Sequence, residues 1–79
     1  MVFLSISWKE LIRILEKHWY IKLKQKWSHA QLKYWNNIPI TIPCLKELKE
    51  WLFNHLLIDI AQDLWITKQE VFKLIKDNK

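Results

Sequence analysis

Apolar and polar residues recur along this chain with two different periods, and the switches between them mark its elements. Leu11, Ile12, Ile14 and Leu15 fall at helical spacing. Just before them, Ser7 and Glu10 have the spacing of a capping box, in which the serine oxygen takes an orphan N–H and the glutamate reaches back to the cap. A first helix is predicted from Trp8 to His18. Period two follows. In Tyr20-Ile21-Lys22-Leu23-Lys24, and again from His29 to Tyr34, apolar and polar residues take turns, as in strands with one solvated face. Asn36-Asn37 signals a turn. Ile38 to Ile42 reads as a third short strand, with Pro39 and Pro43 marking it as an edge or irregular one. Helical spacing then returns. Leu48, Leu52, Leu56, Ile60 and Leu64 step by four, which predicts a second helix over Lys46–Leu64. Thr67 with Glu70 is a second capping box and opens a third helix, with Val71, Phe72, Leu74 and Ile75 as its apolar contacts.

The order αβββαα predicts an α+β fold: a three-stranded antiparallel meander with helices packed on one face. A chain of 79 residues holds one domain, 1–79, with a small core. Its 51% apolar content argues against disorder. No apolar run approaches the roughly 20 residues of a membrane span. The start, Met1 to Ser7, is short for a signal segment and lacks a basic flank. One cysteine, Cys44, excludes a disulfide framework and a multi-cysteine metal site. A small, soluble, cytoplasmic domain without a cofactor or membrane partner is expected.

Strand parity sorts the middle of the chain. It sends Ile21, Leu23, Ala30, Leu32 and Tyr34 toward the helices. Lys22, Lys24, His29, Gln31 and Lys33 then share the solvated face, with Lys26 and Ser28 at the bend. Charge sharpens this picture. Residues 1–40 carry seven basic side chains against two acidic ones, whereas residues 41–79 balance six with six. From Lys17 to Lys33 there are five lysines and no acid. Such a patch suits a polyanion such as nucleic acid, although a merely solvated lysine face has the same composition.

Lysines hold phosphate and neutralise charge that develops during phosphoryl transfer. Imidazole exchanges a proton near neutral pH and can take one from a ribose 2′-hydroxyl. His29 is therefore a candidate general base of an RNA-cleaving site, with Lys22, Lys24, Lys26, Ser28, Gln31 and Lys33 as candidate RNA contacts. Two other readings remain open: a non-catalytic RNA-binding module, and a protein-interaction domain. His18, in the last turn of a helix, suits the dipole, and His55 lies on the polar side of its helix. Cys44 reads as a small filler.

At the strand bend, Lys24-Gln25-Lys26-Trp27-Ser28-His29 resembles the R-Q-K-G-S-H signature of the HicA (YcfA-like) toxins. The likeness extends along most of the chain. Residues 10–20 resemble E-L-I-x-x-L-E-K-x-G-F, and Ile40-Thr41-Ile42-Pro43 resembles a T-V-P strand. Residues 47–53 resemble E-L-x-x-G-T-L, and residues 64–72 resemble x-G-I-S-x-E-E-F. The resemblance implies a fold like that of double-stranded-RNA-binding domains. It also implies an mRNA interferase, the toxin of a toxin–antitoxin pair, neutralised by a HicB-like antitoxin. It implies His29 as the catalytic residue. Leu45 stands where the family often has a second histidine, and Leu52 replaces a threonine.

Tryptophan makes the largest departure. The chain has six tryptophans and no glycine, where ordinary usage predicts about five or six glycines. Trp19, Trp27, Trp51 and Trp65 stand where the family has glycine, and Trp8 and Trp35 also fall where glycine fits. Trp19 and Trp65 are expected just past helix ends, and Trp35 at a hairpin turn, where left-handed backbone is common. A gene in which UGA encodes glycine, translated with tryptophan, accounts for both anomalies. The rival reading keeps the tryptophans and has Trp27 and Trp35 stack on RNA bases.

Overall fold

The computed structural model describes residues 5–26 and 28–79. Helix α1 (Trp8–Lys17) leads into strands β1 (Tyr20–Lys26), β2 (His29–Tyr34) and β3 (Ile40–Pro43). Helices α2 (Glu50–Leu64) and α3 (Lys68–Asn78) follow. The strands form one antiparallel sheet in the order β1-β2-β3, so the predicted αβββαα layout is what the chain adopts.

Both capping boxes form. Ser7 Oγ accepts from the Glu10 N–H, and a Glu10 carboxylate oxygen accepts from the Ser7 N–H. Thr67 and Glu70 repeat the arrangement at the start of α3. These bonds satisfy N–H groups that a helix start otherwise leaves without partners. The core lies between the helices and one sheet face. Leu11, Ile14 and Leu15 of α1, Phe53, Leu57 and Ile60 of α2, and Val71 and Ile75 of α3 enclose Ala30, Leu32 and Ile42 of the sheet.

Two boundaries differ from expectation by more than one residue. Helix α2 begins at Glu50 rather than Lys46. The backbone ahead of it is stitched to the residues at the start of α1: Leu48 N–H donates to Ile6 O at 2.9 Å, and Trp8 N–H donates to Leu45 O at 3.2 Å. Lys49, the N-cap, is extended at φ −66° and ψ 151°, so the helix starts only at Glu50 and Leu48 is buried without being helical. Strand β3 begins at Ile40 rather than Ile38, which is 85% exposed beside Pro39.

The larger correction concerns β1. Tyr20 pairs with Tyr34, Ile21 with Lys33 and Lys22 with Leu32. A bulge then intervenes, and Lys24 pairs with Gln31, Gln25 with Ala30 and Lys26 with His29. Paired residues share a face. Tyr20, not Ile21, is therefore the inward residue of β1, and it is buried. Ile21 and Leu23 do not face the helices and stay exposed. Lys22 falls on the Leu32 side of the sheet, away from the His29 face. It lies at the open edge, where its Nζ donates to Gln25 Oε1 at 3.4 Å. Leu23 is the extra residue, and it resets the alternation so that Lys24 and Lys26 return to the face of Gln31 and His29.

Candidate functional site

The helices cover one side of the sheet and leave the other open. On the open side, the register places Ile21, Lys24 and Lys26 from β1, His29, Gln31 and Lys33 from β2, and Thr41 and Pro43 from β3. None of the three strands contains an aspartate or glutamate. His29 is exposed at the hairpin end of this face. Lys26 is its direct partner across β1, and Pro43 is its partner across β3. Lys24 lies on the diagonal, a relation that puts backbones about 7–8 Å apart, well within reach of a lysine side chain. Lys33 is four residues along the same strand and so about 13 Å from His29. The face thus carries one imidazole with two lysines within side-chain reach and a third farther along.

The hairpin is tied down on its β3 side. Cys44 N–H donates to Ser28 O at 2.6 Å, so the backbone next to His29 is continuous with the end of β3. Ser28 Oγ stands 3.3 Å from His29 Nδ1. When that nitrogen carries the ring proton and donates to the hydroxyl, Nε2 is left with its lone pair and can act as a base. Of the sequence-derived candidates, the fold brings together Lys24, Lys26, Ser28, His29, Gln31 and Lys33, and it removes Lys22. Thr41 and Pro43 were missed. The alternation in Ile40-Thr41-Ile42 carried the signal for Thr41, since buried Ile40 and Ile42 leave it outward beside Gln31. Trp27 lies outside the described residues.

The other histidines are occupied elsewhere. His18 Nδ1 is 2.9 Å from Ile14 O and must be the donor there, because a carbonyl only accepts. The His55 ring meets Trp51 edge-on at 6.4 Å. Cys44 is a free, half-buried thiol. At the opposite end of the sheet, Asp63 of α2 accepts from Tyr20 Oη at 2.6 Å and from Asn37 Nδ2 at 3.0 Å. Burial first, and the Asp63 carboxylate second, push the Tyr20 phenol well above its ordinary value. This network clamps the sheet to α2 and leaves the His29 end free.

Fold and face together define a small αβββαα domain whose uncovered sheet surface is cationic and bears a histidine. Comparison of the chain with protein-family models, curated proteins and solved structures finds no match in any of the three. Among the described residues no helix is long and apolar enough to cross a membrane.

Proposed function

We propose that this chain is an endoribonuclease of the HicA toxin type, with His29 as general base and a HicB-like antitoxin as its partner. The observation that supports it is the pairing of exposed His29 with Lys26, with Lys24 on the diagonal, on strands that contain no aspartate or glutamate. In this reading Lys24 and Lys26 hold the scissile phosphate, and Lys33, with Gln31 and Thr41, extends the track for the RNA backbone. His29 takes the proton of a ribose 2′-hydroxyl. The 2′-oxygen attacks phosphorus, and the 5′-oxygen departs with a proton from water or a lysine. A cyclic 2′,3′-phosphate and a 5′-hydroxyl remain, and no metal is required. An antitoxin that presents acidic groups to this face both neutralises the charge and covers the base.

One observation favours a second reading, a non-catalytic RNA-binding module. No carboxylic acid stands on the strands to protonate the leaving group. A single comparison separates the two. His29→Ala is expected to lower RNA cleavage by about 10²–10⁴-fold while leaving RNA affinity in place. Cleavage that survives the substitution, or that yields 5′-phosphate ends and stops in chelator, overturns the catalytic reading. Replacing Lys24 or Lys26 with Gln is expected to flatten the salt dependence of single-stranded RNA binding by about 0.7 in log–log slope per lysine. An unchanged slope overturns the phosphate contacts.

A further inference from the structure

Three of the described non-glycine residues hold left-handed φ, and all three are tryptophan: Trp19 at 76°, Trp35 at 54° and Trp65 at 59°. Each stands where the backbone must reverse. Trp19 follows His18, the C-cap of α1. Trp65 ends α2 in the αL conformation. Ile66 N–H reaches back to Ala61 O at 3.1 Å, the 6→1 bond of a Schellman motif. Trp35 opens the turn closed by Asn37 N–H on Tyr34 O at 3.0 Å. Glycine takes such angles freely, asparagine tolerates them, and a bulky residue is strained by its Cβ. Asn36 and Asn37 stand next to Trp35, yet the left-handed residue is the tryptophan.

Core packing does not explain these side chains. Trp19 is 73%, Trp35 67% and Trp65 93% exposed. They do not serve His29 either. Trp35 lies at the far end of β2, about 20 Å from that histidine, and Trp19 is beside it, one residue before Tyr20, the partner of Tyr34. The hollow of about 290 Å³ lined by Trp19 and Trp35 with Glu16, Tyr20 and Ile21 has an acid as its one charged residue and lacks cationic groups. Composition points the same way. No residue of the 79 is glycine and six are tryptophan, so exchanging one for the other restores the ordinary glycine usage of about 7%.

We infer that the six tryptophan positions are glycine in the protein as its own ribosomes make it, through a genetic code in which UGA specifies glycine. The backbone carries the inference at positions 19, 35 and 65. One codon assignment extends it to positions 8, 27 and 51. The inference stands apart from RNA cleavage and holds whether or not His29 is a catalyst.

Two measurements test it. The first reads the six codons and the masses of peptides spanning residues 19, 35 and 65 in protein purified from the source cells. UGA codons with glycine masses are expected; UGG codons or tryptophan masses overturn the inference. The second places glycine or alanine singly at positions 19, 35 and 65 of the full chain made recombinantly. Glycine is expected to raise the unfolding temperature by about 4–8 °C per position, and alanine by much less. Equal effects of glycine and alanine would mean that the indole, not the left-handed backbone, is the burden, and the conformational argument fails.

Discussion

Replacing Tyr20 with Phe isolates the bond that clamps the sheet to α2. The ring is only 3% exposed, so Phe fills the same space. What is lost is a 2.6 Å hydrogen bond to a carboxylate. Bonds to charged groups contribute about 1.5–3 kcal/mol, so Tyr20→Phe is expected to destabilise the domain by that much at pH 8. The penalty then depends on pH in a fixed direction. The phenol is held above its ordinary value of 10.0, chiefly by burial and then by Asp63. Its contribution is complete below the unfolded value near 10 and is lost as pH rises toward the folded value. Above about pH 10 the unfolded chain gives up this proton and the folded chain keeps it. Wild-type stability therefore loses up to about 1.4 kcal/mol per pH unit that the Phe variant does not lose. The two stabilities should converge near pH 11–12. Urea unfolding followed by far-ultraviolet circular dichroism across this range measures the gap directly. A gap that stays constant from pH 8 to about pH 11.5 refutes the claim that the buried phenol keeps its proton for Asp63.

Deleting Leu23 should leave the domain folded within about 1 kcal/mol, because the register on both sides of the bulge is already in phase; Leu32→Ala, at a fully buried site, should cost about 2–5 kcal/mol in the same urea assay. Ser7→Ala removes the cap of α1 and is expected to cost about 1 kcal/mol. The Glu10 carboxyl is held below 4.5, mainly by the Ser7 N–H. Its contribution is therefore present above that unfolded value and fades as acid carries the pH down through the folded one. Glu10→Gln should flatten the acid limb of the stability curve; an unchanged limb removes the capping box from the account.

The helices were legible because their signals are local. Ser7 with Glu10 and Thr67 with Glu70 close rings over four residues, and nothing distant can override them. The start of α2 was not legible. It depends on bonds from Leu48 to Ile6 and from Trp8 to Leu45, between segments some 40 residues apart. Strand β1 misled for a different reason. Its alternation is real, but Tyr20 supplies the buried residue while Ile21 and Leu23 mimic an inward pair. A bulge writes no residue type of its own into the sequence. The outward position of His29 was readable because β2, the central strand, has no such interruption, and Ala30 and Leu32 are both fully buried. The lysines beside it were partly readable: Lys24 reached the predicted face by way of the bulge, and Lys22 did not.

The extra residue at Leu23 also bears on how copies of the chain behave at high concentration. Strand β1 is an outer strand, and a straight run of free N–H and C=O groups there invites another strand to add on and begin a fibril. The kink spoils that straight run, and Lys22, Lys24 and Lys26 repel a like-charged newcomer. The far side of the sheet is guarded by Pro43, which has no N–H to offer. Without the irregularity at Leu23, the lysines alone would have to keep neighbouring molecules from zipping together.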